Sequence, residues 1–167
     1  MPMKIDRKID TAAVKAVIGT MYPPPYDQPC RAREKAKLGD LAGLTQFGVN
    51  LVRLKPGVWS SQRHWHTHED EFVYILEGEA VLVTDAGEET LRPGDAAGFK
   101  GGVADGHHLQ NRGATDVVYL EVGSRIPACG AHYPDIDLVA PADPKQAMYT
   151  HRDGTPYTDI KRRGPTD

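Results

Sequence analysis

The residues most able to do chemistry in this chain are its histidines. Five of the seven, His64, His66, His68, His107 and His108, fall in the central third of the chain, in two tight groups. The first group reads His64-Trp65-His66-Thr67-His68-Glu69-Asp70-Glu71. In an extended segment side chains alternate between two faces, so His64 and His66 share one face while Trp65 and Thr67 take the other. Two imidazoles on one face can share a metal ion, and a carboxylate a few residues on can close on it after a turn. With His64 and His66 as the pair, four residues precede Glu71, whereas the pair His66 and His68 leaves only two, too few to turn. In the second group His107 and Asn111 share a face at even spacing, and His108 shares one with Gln110. The expected metal ligands are therefore His64, His66, Glu71 and His107. Three imidazoles and one carboxylate suit a single divalent transition metal (Mn, Fe, Ni, Co or Zn) and leave about two positions of an octahedral ion open to water or substrate. Open positions imply ligand binding or chemistry. His68 and His108 are read as surface or supporting positions, and Asn111 as a structural hydrogen-bonding group.

Short strands must carry these groups. From 44 to 124 the chain runs in segments of strand length with Gly or Pro between them: LVRLKPG at 51–57, EFVYILEG at 71–78, AVLVTDAG at 80–87, TLRPGD at 90–95, HHLQNRG at 107–113 and DVVYLEVG at 116–123. That spacing, with no helical pattern between strands, argues an all-β barrel or sandwich. Trp59, Phe72, Tyr74, Phe99 and Tyr119 are expected in its core. Before the strands, Asp10 as N-cap, an apolar stripe of Ala13, Val14, Val17 and Ile18, and Gly19 as a stop predict a helix over 11–18. MYPPPYDQP then runs extended, and 31–43 offers one helical turn and a loop. After Arg125 the sequence is rich in Pro, Asp and Tyr, an arm suited to cover a sheet edge or reach a partner subunit. The division expected is thus 1–43 for the N-terminal helix and Pro-rich extension, 44–125 for the barrel and 126–167 for the C-terminal arm.

Composition bounds the rest. A chain of 167 residues with 40% hydrophobic and 26% charged residues is ordinary for one globular domain. Twenty basic against twenty-three acidic residues give a net charge of −3, no field for phosphate backbones, so nucleic acid is not an expected partner. No apolar run approaches the ~20 residues of a membrane span. MPMKIDRKID lacks an apolar signal core, and Cys30 and Cys129 have no CxxC partner, which together predict a cytoplasmic protein with reduced thiols. No glycine pattern of the phosphate-cradling kind appears, so a nucleotide cofactor is not expected.

The two histidine groups resemble the two motifs of the cupins. Gly57, His64, His66, Glu71 and Gly78 match the first motif, with the first gap one residue longer than usual. Gly87, Pro93, His107 and Asn111 match the second, where GFKGGVADG at 98–106 makes a longer approach to the histidine. The likeness covers about residues 44–124. More narrowly, RHWHTHEDEFVYILEGE, HHLQNR, YLEVGSR and YPDIDL…DGTPY resemble a group of small bacterial single-domain cupins that carry the label sugar-phosphate isomerase by inference. The resemblance implies a double-stranded β-helix, or small jelly roll, paired into a homodimer.

Three functions use the same four ligands. A metal-dependent isomerase or epimerase would act on a sugar or sugar phosphate, with Glu71 and His107 as the candidate catalytic groups that move the proton. An Fe(II)-dependent dioxygenase would use the open positions for substrate and dioxygen. A non-catalytic cupin would bind a small ligand or metal. Cations facing the cavity favour the first, and the sequence offers Arg53 and Arg63, with Lys100 beside them, as candidate substrate-binding residues.

Overall fold

The computed structural model describes residues 7–167. Most of the stretch read as lacking a signal core, residues 1–6, lies outside the described residues, as does the start of the 1–43 extension.

The first described secondary structure is a 3-10 turn at Thr11–Ala13, where the Asp10 carboxylate accepts from the Ala12 N–H at 3.1 Å. The expected helix over 11–18 ends there. Eight residues are fewer than the ~12–15 an isolated helix needs, and β-branched Val17 and Ile18 instead form strand β1 (Val17–Ile18) opposite Lys35 and Glu34. Strand β2 (Glu34–Lys37) follows, then a single helical turn, α1 (Leu38–Leu41), the one short α-helix among the described residues.

The barrel strands are β3 (Phe47–Leu54), β4 (Trp65–His66), β5 (Glu71–Glu77), β6 (Ala80–Thr84), β7 (Gly87–Leu91), β8 (Ala96–Phe99), β9 (His108–Gln110) and β10 (Val117–Ser124). Two more, β11 (Ala131–Tyr133) and β12 (Leu138–Ala140), belong to the C-terminal arm. One wall is a six-stranded sheet in the order β1-β2-β3-β10-β5-β8. The facing wall is built from β7-β6-β9 and β12-β11-β4, joined by isolated bridges at Trp59–Gln110 and His64–His107. All ladders are antiparallel. This is the all-β jelly-roll architecture.

Strand alternation decides what fills the space between the walls. Val52 and Leu54 of β3, Val73 and Ile75 of β5 and Val117 and Tyr119 of β10 point inward and pack on Leu82, Leu91 and Leu109 from the other wall. Because Val73 and Ile75 take the inner face, Phe72, Tyr74 and Leu76 point out and are 44%, 39% and 41% exposed. Phe72 and Tyr74 are therefore surface residues and not core. Trp59 is half-buried in a second cluster, where Tyr22, Cys30, Tyr133 and Leu138 bring the arm onto the barrel. Asn111 is buried and donates to the Leu54 and Thr115 carbonyls, both at 2.8 Å, while its Oδ1 accepts from the Gly113 N–H at 3.0 Å. It ties the end of β9 to the end of β3. Both cysteines are free thiols.

Candidate metal centre

The imidazoles come from one wall and the carboxylate from the other. His64 and His107 face each other across an antiparallel bridge, each N–H donating to the other's carbonyl, at 3.2 and 2.9 Å. Directly opposed residues present their side chains on one face, and His66, two residues on, returns to the same face. Glu71 opens β5 in the six-stranded sheet, opposite Gly123 of β10 and Phe99 of β8.

The four side chains meet at one carboxylate oxygen. Glu71 Oε2 lies 2.9 Å from His107 Nε2, 3.2 Å from His66 Nε2 and 3.6 Å from His64 Nε2. His64, His66 and Glu71 offer ligand atoms all within 4.8 Å of one another, and His107 joins them through the carboxylate. The tautomer of His64 is fixed by its surroundings: Nδ1 faces the Gln62 carbonyl at 2.8 Å, which can only accept, so a neutral ring presents the Nε2 lone pair to the other donors. The His107 ring is stacked on Phe99 at 3.6 Å and 2°, and its buried Nδ1 has no partner. This donor set, all nitrogen and oxygen and gathered around one carboxylate oxygen, fits a divalent transition metal.

The electrostatics fit as well. Burial alone would raise the Glu71 carboxyl, but its contacts to His107, His64 and His66 outweigh this and hold it well below the usual carboxylate range. Burial would lower His66, yet Glu71 pulls it up to about 9. On the far side of that ring, Cys129 Sγ lies 4.0 Å from His66 Nδ1 and Glu69 Oε2 lies 3.8 Å from it. The Cys129 sulfur accepts from the Glu69 N–H at 3.3 Å.

The neighbouring histidines point elsewhere. His68 is exposed, its Nδ1 2.9 Å from Thr67 Oγ1. His108 is buried, with Nδ1 2.9 Å from the Ser61 carbonyl and Nε2 2.9 Å from the Gln110 amide.

His64, His66 and Glu71 line a cavity of about 390 Å³ whose walls carry Arg33, Lys35, Lys37 and Arg125, together with Asn50 and Glu121. The Arg33 guanidinium donates to the Ser60 and Gly19 carbonyls at 2.7 and 3.1 Å, and its Nε is buried without a partner. Lys35 Nζ pairs with Glu121 Oε2 at 2.7 Å. Burial raises the Glu121 carboxyl, but Lys35 and Arg33 together hold it below its ordinary value. A second cavity of about 230 Å³ touches His66 and His107 from the side of Trp65, Phe99, Lys100 and Val103, so the long 98–106 segment builds its wall.

Arg53 and Arg63 do not line the main cavity. Arg53 lies between inward-facing Val52 and Leu54, so alternation turns it outward, where it pairs with Asp116 at 3.0 Å. Arg63 is held by Asp135 at 2.7 Å, by Asp85 and by the Gly106 carbonyl at 3.1 Å, a clamp joining three loops. The cations that do line it come from segments 33–37 and 125.

A family model described as a cupin domain matches residues 50–123. Among solved structures, a sugar phosphate isomerase from a cupin superfamily of Silicibacter pomeroyi is 43% identical, with a TM-score of 0.85 over 91% of this chain and 97% of that one. An inferred sugar phosphate isomerase of Acidithiobacillus ferrooxidans is 28% identical, with a TM-score of 0.68 over 78% and 80% of the two chains. A polyketide cyclase of Streptomyces resistomycificus is 23% identical, with a TM-score of 0.57 over 71% and 79%, a likeness of fold. No curated protein matches the chain.

Proposed function

This chain belongs to the cupin superfamily, and on that premise we propose that it is a metal-dependent isomerase acting on a sugar or sugar phosphate. The observation that carries the reading is the cavity itself, lined by His64, His66 and Glu71, with His107 reaching Glu71 from the neighbouring cavity, and with Arg33, Lys35, Lys37 and Arg125 on its walls. Cations around a metal-ligand set suit an anionic, oxygen-rich substrate better than the apolar one a dioxygenase of this kind would hold. The name of the 43% identical relative supports the same class.

In this reading His64, His66, Glu71 and His107 hold one divalent ion, which when bound polarises an adjacent carbonyl and hydroxyl of the substrate. Lys37, with Arg33 held by the Ser60 and Gly19 carbonyls and Arg125 paired with Asp40, supplies the positive field for the anionic end. With Glu71 and His107 engaged as ligands, the proton is carried by another group of the cavity.

Protein purified without added metal should contain close to one equivalent of Mn, Fe, Ni, Co or Zn by elemental analysis. It should also interconvert an aldose phosphate and its ketose. Stoichiometric copper, or no transition metal after reconstitution with each of the five, would overturn the metal assignment. A metal-loaded chain inert toward sugar phosphates but consuming dioxygen would favour the oxygenase.

We also propose a homodimer, closed over the outer face of the six-stranded sheet, where Phe72, Tyr74 and Leu76 stand exposed in one row along β5. A row of large apolar side chains on a monomer marks an interaction surface. Light scattering should give twice the chain mass of 18.3 kDa, and Tyr74→Glu should shift the protein toward the monomer. A single-chain mass for the unaltered protein across micromolar concentrations would refute it.

A further inference from the structure

An isomerase that works through an enediol needs a base within reach of the carbon next to the polarised carbonyl, and a carboxylate not engaged by the metal serves best. Glu71 does not meet that need, because its Oε2 is the atom on which His64, His66 and His107 converge. We propose that Glu121 is the base of this site and that Lys35 is the acid working beside it, an assignment that rests on the isomerase reading above.

Register places the pair. Glu121 lies opposite Val73 and Glu71 opposite Gly123, so the two carboxylates are diagonal neighbours on the inner face of β10 and β5. Such neighbours stand about 7–8 Å apart at the backbone, close enough for one small substrate to touch both. The next inward position of β10 is Gly123, which carries no side chain. A Cβ there would lie 3.6 Å from Glu71 Cγ, so a larger residue would crowd the floor between the two acids.

The hydrogen bonds leave one oxygen for a ligand. Lys35 Nζ at 2.7 Å and Asn50 Nδ2 at 3.0 Å both act on Glu121 Oε2. Oε1 has no partner among the described residues and is not sealed from solvent, and Glu121, Lys35 and Asn50 all line the cavity. Their inward neighbours Val52, Val73 and Tyr119 are apolar and buried. A half-buried ion pair in such a setting adds little to stability and is often replaceable by hydrocarbon, whereas a carboxylate and an ammonium facing a cavity together can move protons.

The step balances without an oxidant. Glu121 takes the proton from the carbon α to the carbonyl; that C–H pair becomes the new C=C bond of an enediol, and the carbonyl π pair moves to oxygen, which takes a proton from Lys35. In collapse the neighbouring hydroxyl returns a proton to Lys35 as its C–O becomes C=O, and the C=C pair takes the proton from Glu121 at the adjacent carbon. One base on one side returns the proton to the next carbon, which favours aldose–ketose interchange over epimerisation.

The test follows loss of the α-proton signal by NMR in deuterium oxide, with metal-loaded protein and a panel of aldose phosphates of three, five and six carbons. The unaltered chain should wash out the α-proton of at least one. Glu121→Gln, matched in shape, should slow wash-out at least ~100-fold while retaining its metal by elemental analysis, and Glu121→Asp should recover part of the rate. Should Glu121→Gln fail to fold, Lys35→Gln carries the test: it should slow wash-out at least ~10-fold, with Lys35→Arg restoring part. Wash-out by Glu121→Gln above a tenth of the original rate, or loss of metal from it, overturns the assignment and leaves the isomerase reading standing. An unaltered, metal-loaded chain that neither exchanges nor interconverts any member of the panel removes the isomerase reading, and the base with it.

Discussion

His64→Ala, His66→Ala, Glu71→Ala and His107→Ala should each lower affinity for a divalent metal at least ~10-fold, about 1.4 kcal/mol, whereas His68→Ala and His108→Ala should keep most of it. The first four side chains converge on one carboxylate oxygen within 3.6 Å, from two facing walls, so removing any one leaves a gap that no neighbour fills. His68 is exposed and His108 is bonded to Ser61 and Gln110, neither turned toward the Glu71 carboxylate. Metal titrations on the six variants decide the matter. If His68→Ala or His108→Ala empties the site while His64→Ala or His107→Ala does not, the strand register is wrong by one residue. Glu71→Ala should be the most damaging, because the imidazoles then lose the negative charge that draws them together.

Gly78→Ala should cost about 3 kcal/mol of stability. Gly78 has φ +74°, a region that costs other residues about 1–2 kcal/mol, and an added Cβ would sit 2.2 Å from the Asp116 carbonyl oxygen. Backbone cannot swing aside as a side chain does, so β5 and β10 would be forced apart beside the irregularity at Val118 and Tyr119. In a chain of this size the melting temperature should fall roughly 6–12 °C. Gly94→Ala separates the two causes: Gly94 has φ +95° but no atom within 4 Å of an added Cβ, so it should lose only about 1 kcal/mol. Melting curves at matched metal content test this, and equal losses for the two variants would contradict the steric account.

That His64, His66 and Glu71 gather was legible because their spacing is local. The shared face of positions 64 and 66 and the distance to Glu71 follow from one extended segment and one turn, whereas His107 reaches them only through its bridge to His64. The cavity wall was not, since Arg33, Lys35, Glu121 and Arg125 meet only through the pairing of β2 with β3 and of β3 with β10. No spacing within a segment announces such a meeting. Arg53 is different: once Val52 and Leu54 are inside, parity alone puts it outside, and the sequence already held that answer. For Phe72 and Tyr74 it did not, because β5 is apolar on both faces and hydrophobicity cannot choose between them. The apolar stripe at 13–18 fitted a helix, but a ready partner strand at 34–35 outcompeted a stretch too short to stand alone.

The contact between Gly19 and Arg163 reaches further than its position suggests. Thr20 and Arg163 exchange backbone hydrogen bonds at 3.0 and 2.8 Å, and a side chain on Gly19 would strike the Arg163 carbonyl. Gly19 in turn donates its N–H to the Arg33 carbonyl and accepts from the Arg33 guanidinium, the residue that stands in the cavity wall. The tail is thus the keystone of an arch whose other foot is the cavity wall beside His64 and His66. Drift at 19, 33 and 163 should therefore be correlated and not independent.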